Sequence, residues 1–203
     1  MKKLFSLLSL VFFISCSSQD KRPITGETAY QRELNAQYKD ATKSPLKKKD
    51  LKNFKGLDFF PVDSSFIVTA KLTRTPDTPI FEMATTTDRK PLYREFGLLI
   101  FSLQGKEHTL TIYQSQSNLT DPEYKDYLFL PFTDDTSGEE SYGGGRYMDA
   151  FLSKINADDT IELNFNNTYN PYCAYNDRYS CPITPRKNHL DIAIKAGVKK
   201  FDK

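Results

Sequence analysis

Residues 93–103 (YREFGLLIFSL) and 107–116 (EHTLTIYQSQ) flank Gln104-Gly105-Lys106, and this stretch decides the fold. Two runs rich in aromatic, β-branched and leucine residues, separated by a short glycine-containing turn, predict a β-hairpin. Glycine reaches the positive φ values of such turns without a Cβ clash. Working outward, Ser65–Thr73, Pro79–Thr85, Tyr127–Phe132, Gly145–Leu152, Thr160–Phe165 and His189–Lys195 read as further short strands. Turn signals recurring between short β segments predict a mainly β protein, a single antiparallel sandwich or barrel. Upstream the period becomes helical. Glu27–Ala41 places Tyr30, Leu34, Gln37 and Tyr38 near helical spacing, and Leu46–Phe54 forms a second short segment ended by Gly56. The expected architecture is therefore one or two short helices followed by a single β-rich domain over residues 27–203, with no internal repeat.

The N-terminus reads as an address. Lys2 and Lys3 precede an apolar run over Leu4–Ile14, which is too short to anchor a helix across a bilayer. Ser15-Cys16 follows, then the polar run Ser17-Ser18-Gln19-Asp20. A small residue directly before Cys at the end of such a run resembles the lipobox of bacterial lipoproteins. That resemblance implies a signal peptide over residues 1–15, acylation of Cys16, and a flexible tether over residues 16–26. Each buried CH₂ of an acyl chain contributes about 0.8 kcal/mol, so several chains hold a protein on a membrane surface. The expected location is the bacterial cell envelope, lipid-anchored at the outer membrane through Cys16.

Charge and cysteine content follow from that cleavage. The chain has 28 basic and 26 acidic residues; loss of Lys2 and Lys3 leaves 26 of each sign. A balanced domain lacks the basic surface that nucleic-acid binding needs, so no nucleic-acid partner is expected. With Cys16 acylated, Cys173 and Cys181 remain of the three cysteines. In an oxidising compartment two leftover thiols form a natural disulfide pair, here closing a short loop worth roughly 2–3 kcal/mol.

Chemistry-bearing residues concentrate in the C-terminal third. GGGRYMDAF (143–151) joins a glycine run to Arg146, whose planar fork suits a carboxylate or phosphate. In a strand, Arg146 and Met148 face one way and Tyr147 and Asp149 the other. DDTSGEE (134–140) gathers carboxylates, among which Asp135 and Glu140 are candidate acids or bases, with Arg146 as anion holder. Its spacing matches no EF-hand, and the glycine run matches neither a P-loop nor a dinucleotide fingerprint, so no metal and no cofactor are expected. NNTYNPYCAYNDRYSCP (166–182) is constrained at Asn170-Pro171 and Cys181-Pro182 and is dense in tyrosine. Tyrosine combines an apolar body with a polar tip, well suited to small-molecule contact. A Cys-His nucleophile at Cys173 would need His189 within reach, and a zinc site would need tighter ligand pairs than Cys173-x7-Cys181.

SPL (44–46), FKGLDFFPVD (54–63), LFLPFTDDTSG (128–138), GGGRYMD (143–149), NFNNTYNPYCAYN (164–176), SCPITP (180–185) and the closing Asn188-x-Leu190-x3-Ile194-x-Ala196-Gly197 together resemble the domain of unknown function 1684 family. The resemblance covers about residues 38–201. It implies that Asp135, Gly138, Arg146, Tyr147, Asn166, Asn170, Pro171, Cys173, Tyr175, Cys181, Pro182, Asn188 and Gly197 occupy family motif positions, and it brings no activity with it. The chain departs from the family's usual residues at Asn164, Asn167 and His189. The expected function is a membrane-anchored lipoprotein serving as a small-ligand-binding or accessory module. Its pocket would be built from Arg146, Tyr147, Asn170, Tyr175 and Asn188. The alternative is a hydrolase-like enzyme with an Arg/carboxylate site.

Overall fold

The computed structural model describes residues 26–117 and 119–201. Residues 1–25, where the sequence leads one to expect a signal peptide, an acylated Cys16 and most of a tether, lie outside the described residues. The central hairpin forms as the sequence predicts, with a two-residue loop: Gln104 and Gly105 both have positive φ, 50° and 77°. This is the turn geometry whose twist matches that of the flanking strands. Lys106, expected in the turn, already pairs with Leu103.

The eight strands are β1 (Ile67–Arg74), β2 (Phe81–Glu82), β3 (Leu92–Leu103), β4 (Lys106–Ser115), β5 (Tyr127–Asp134), β6 (Arg146–Phe151), β7 (Thr160–Asn164) and β8 (His189–Leu190). They form one sheet in the order β6-β5-β4-β3-β1-β7, with β2 added to β3 and β8 to β5. The sheet is mainly antiparallel and curls into a half-barrel. Only β8 runs parallel to its partner, β5. Two helices precede the strands, α1 (Ala29–Lys39) and α2 (Lys48–Asn53). A capping box between Thr28 and Gln31 satisfies the first amides of α1.

Strand alternation sorts side chains to two faces. Leu99, Phe101 and Leu103 of β3, Leu110 and Ile112 of β4, and Leu128, Leu130 and Phe132 of β5 meet in the main core. Each such side chain contributes roughly 1.5–3 kcal/mol on burial. Leu190, Ile194 and Ala196 near the C-terminus join the same core. On the opposite face Met83, Tyr113, Phe129 and Tyr147 form a smaller aromatic cluster. A third cluster packs Tyr38 of α1 with Leu46, Leu57, Tyr175 and Val198.

Two expected strands are shorter than their patterns. In 189–195 only His189–Leu190 pairs as a strand. Beyond it the chain bonds to itself, with Ile192 N donating to Leu190 O and Lys195 N to Ala193 O. The alternating apolar residues there report insertion into the core rather than ladder pairing. In 79–85 only Phe81–Glu82 forms a strand, behind Pro79, which has no N–H to contribute, while Thr85 makes an isolated antiparallel bridge with Pro182.

One side chain repairs the sheet where two strands part. β4 and β5 share a single paired position, Tyr113 with Phe129. Two residues farther along each strand stand Thr111 and Pro131, and proline cannot donate to a ladder. The Asn188 amide fills the gap: Oδ1 accepts from Thr111 N at 2.9 Å, while Nδ2 donates to Thr111 O at 2.8 Å and Pro131 O at 2.7 Å. Immediately after Asn188, β8 takes up pairing with β5. The side-chain amide thus does the work of a missing peptide unit.

Candidate ligand-binding site

The residues expected around Arg146 form a closed structural unit. Gly145 leads into β6 at φ 88°, and a Cβ there would stand 2.5 Å from Phe132 O, so only glycine allows the approach. Arg146 is fully buried. Its Nη2 lies 2.8 Å from Asp134 Oδ2 and donates to Ile194 O at 2.8 Å; Nη1 donates to Ala196 O. Asp134 Oδ1 in turn accepts from Thr136 N at 2.7 Å, Thr136 Oγ1 at 2.6 Å and Ile194 N at 3.3 Å. Burial pulls the Arg146 guanidinium below its ordinary pKa, and the charge of Asp134 opposes that shift. Both terminal nitrogens of the guanidinium are occupied by the fold itself, while the buried Nε has no hydrogen-bond partner among the described residues.

Asp135 and Glu140 are elsewhere. Both side chains are about half exposed: Asp135 lies 3.9 Å from His189, and Glu140 lies 3.1 Å from Lys195. The structure therefore brings none of Asp135, Glu140 and Arg146 together. The carboxylate that does meet Arg146 is Asp134. The signal for it was the inward alternation of Leu128, Leu130, Phe132 and Asp134 along β5. Asn188 is committed to the β4–β5 gap. Asn170 is buried, with Nδ2 donating to Tyr175 Oη at 3.3 Å and Lys199 O at 2.8 Å. Tyr175 packs edge-on against Tyr38, with ring centres 5.0 Å apart. Of the five residues expected to bind ligand, only Tyr147 borders the molecule's main cavity.

That cavity, of about 820 Å³, lies on the aromatic face of the sheet. Three walls enclose it. One face of α1 contributes Tyr30, Glu33, Leu34 and Gln37, spaced as successive helical turns require. β5 and β6 contribute Tyr127, Phe129, Tyr147, Asp149 and Phe151, and the segment 167–182 adds Tyr169, Tyr172 and Tyr179. Gln37 Nε2 donates to Tyr172 Oη at 2.8 Å and ties the first wall to the third. A backbone bridge, Tyr147 N to Tyr169 O at 2.8 Å and Tyr169 N to Tyr147 O at 3.0 Å, fixes the third wall to the second. The rings meet at near right angles: Phe129 with Tyr147 at 84° and 4.7 Å, Tyr147 with Tyr169 at 84° and 6.0 Å. Such pairs are favoured by the ring quadrupole and line the cavity in more than one plane.

Asp149 is the polar centre of this lining. Its Oδ1 accepts from Tyr127 Oη at 2.9 Å and from Tyr169 Oη at 2.5 Å. Burial, reinforced by the nearby charge of Asp149, holds both phenols well above the ordinary tyrosine pKa, so both remain protonated donors. Asp149 Oδ2 receives no hydrogen bond among the described residues. Sequence reading placed Asp149 on the face opposite Arg146 but did not single it out, nor Tyr30, Tyr93 or Tyr127 as its neighbours. The usable signals were the outward alternation of β6 and the Tyr30-Leu34-Gln37 face of α1.

Cys181 borders the cavity; it and Cys173 are both free thiols, so the expected disulfide is not formed here. They are nonetheless in contact: Cys173 N donates to Cys181 Sγ at 3.1 Å. Hydrogen bonding from Cys181, and next from Tyr142, lowers the Cys173 thiol to about 6 against an opposing effect of burial. Cys181, the donor of the pair and itself buried, is pushed up. His189 instead contacts Thr133, Asp135 and Asp191.

The comparisons with known proteins agree with this frame. The chain is similar to an uncharacterized protein of Haloarcula marismortui whose structure was solved by solution NMR. The two share 32% sequence identity and a TM-score of 0.66 over 84% of this chain and 90% of that one. No curated protein matches. Residues 52–199 match the family described as protein of unknown function DUF1684, which takes in both the Arg146–Asp134 unit and the Asp149 wall of the cavity, and the chain belongs to that family.

Proposed function

We propose that this protein is a small-ligand-binding module and that the ligand occupies the tyrosine-lined cavity around Asp149. The observation that carries the reading is the combination of an 820 Å³ concavity, aromatic walls from three separate chain segments, and a carboxylate with one oxygen held and the other open. Ligand sites are characteristically apolar concavities of a few hundred to about 1,000 Å³ with a few placed polar groups. The chain has 12 tyrosines and no tryptophan, so its intrinsic fluorescence reports on this cavity. A screen of small metabolites by tyrosine fluorescence and ring NMR should return compounds that perturb Tyr127 and Tyr169. If every hit perturbs residues remote from the cavity, the assignment is lost.

The same reading includes membrane attachment through acylated Cys16 at the outer membrane of a bacterial envelope. Its support is the sequence 1–20 alone. Cys16→Ala should release the protein from the membrane fraction, and unchanged fractionation would remove the anchor. In that oxidising setting Cys173 and Cys181, already in contact, would lose two protons and two electrons to a thiol–disulfide exchange partner and form a local crosslink. Protein taken directly from the envelope should then resist alkylation at both positions until reduced.

A further inference from the structure

We infer that the ligand of the Asp149 cavity is an organic cation with a methylated ammonium head. This rests on the cavity being a ligand site at all, and it goes further by naming the chemistry the site selects. Four observations carry it.

First, the sign of the lining is uniform. Among the described residues the cavity is bordered by two carboxylates, Glu33 and Asp149, and by no lysine, arginine or histidine. The guanidinium groups at the Tyr179–Ser180 end are already engaged, Arg178 over the Tyr179 ring at 4.7 Å and Arg89 on Ser180 at 3.1 and 2.8 Å. An anionic ligand would meet uncompensated like charge.

Second, the hydroxyls around Asp149 are committed. Tyr127 and Tyr169 donate to Asp149, Tyr147 donates to Pro182 O, and Tyr172 accepts from Gln37. A neutral polyol must find free donors and acceptors on several sides, and these phenols have each spent a hydrogen bond. What remains around Asp149 is ring surface and one carboxylate oxygen, with the Glu33 carboxylate also on the lining.

Third, that remainder is what a methylated ammonium requires. Ring faces carry the negative part of the aromatic quadrupole and attract a desolvated cation, and quaternary ammonium recognition by aromatic cages is the established use of the effect. A primary ammonium is a compact, strongly hydrated charge and gives up more hydration on moving against ring faces than a methylated head does. A quaternary head brings no N–H that needs a partner.

Fourth, the polarity is preset. Two phenol donors on one oxygen of Asp149 fix the carboxylate against the wall and withdraw proton density from both rings toward it. This makes those ring faces more electron-rich while the second oxygen stays available as the counter-charge.

The test is calorimetric titration of the full chain at low salt with choline chloride and with its neutral carbon isostere, 3,3-dimethyl-1-butanol, alongside a neutral monosaccharide such as glucose. Choline should bind saturably and perturb the Tyr127 and Tyr169 ring signals, and the isostere should bind about tenfold more weakly or worse. Asp149→Asn should cost choline about tenfold, and Tyr169→Phe, which keeps the ring and removes one donor, about threefold; the second variant serves if the first fails to fold. Equal binding of choline and isostere, or binding of glucose in place of choline, overturns the cationic ligand and leaves the cavity as a ligand site. Cavity hits from the metabolite screen with choline inert do the same. If nothing in either experiment perturbs the cavity rings, both readings fall.

Discussion

Arg146 and Asp149 sit three residues apart on one strand and could hardly be more differently used. Arg146 points into the main core, fully buried, with Asp134, Ile194 O and Ala196 O taking its donors. Asp149 points to the other face, exposed to the cavity, with two phenols on one oxygen and nothing on the second. Within a single motif, GGGRYMD, a charge that looks like a site is part of the scaffold, and a charge that looks incidental is the open one. The difference lies in enclosure. An ion enclosed by its own chain, with both terminal nitrogens held, is out of a ligand's reach even though its Nε has no partner, whereas one that faces a cavity is within it.

That contrast can be broken most decisively at the closed end. Arg146→Met leaves Asp134 as a buried charge without its cation, and loss of one partner of a buried pair typically costs about 3–5 kcal/mol. Urea denaturation should show a loss of this size, and a loss below about 1 kcal/mol would mean that the unit is not closed. Asn188→Ala comes next: it strands the Thr111 amide and two carbonyls between β4 and β5, at about 2 kcal/mol by the same measurement. At the open end the expectation reverses. Asp149→Asn keeps an acceptor for Tyr127 and Tyr169 and should change stability by no more than about 0.5 kcal/mol, while choline binding drops. A large loss of stability there would make Asp149 a second structural charge and erase the contrast.

The smallest effect is kinetic. Under reducing conditions Cys173 should alkylate with a pH midpoint near 6, because the thiolate is the nucleophile and its neighbours hold the thiol there. The rate therefore rises as pH climbs through that value. Cys181, shifted upward, should stay inert through neutral pH. An ordinary midpoint of about 8.5 for Cys173 would show that Cys181 and Tyr142 do not activate it.

Much of the architecture was readable in the sequence because alternation and turn residues are local. All eight strand regions and both helices appear where periodicity places them, the hairpin at Gln104-Gly105 with its loop one residue shorter than expected. The strand order was not readable, since Asn188 and β8 reach back to Thr111, Pro131 and Thr133 across long stretches of chain. The site divided in the same way. The face of Asp149 followed from strand geometry, but its tyrosine partners come from three distant segments. Asp135 was favoured over Asp134 because composition cannot tell which of two adjacent carboxylates points inward. Strand parity could have told them apart, through Leu128, Leu130 and Phe132.

The contacts made by residues 188–196 carry a consequence for how the chain acquires its structure. Asn188 seals the gap between β4 and β5, and the carbonyls of Ile194 and Ala196 accept hydrogen bonds from Arg146. The central hairpin can form early, since its partners are close in sequence. The seam beside it and the charge at the half-barrel's heart must wait for residues 188–196 to be synthesised and to dock. Long-range closure of this kind slows folding, because the loop entropy is spent before the contacts return it. Nascent chains that stop before residue 188 should thus retain the hairpin and expose the β4–β5 edge, the state in which a chaperone would find this protein.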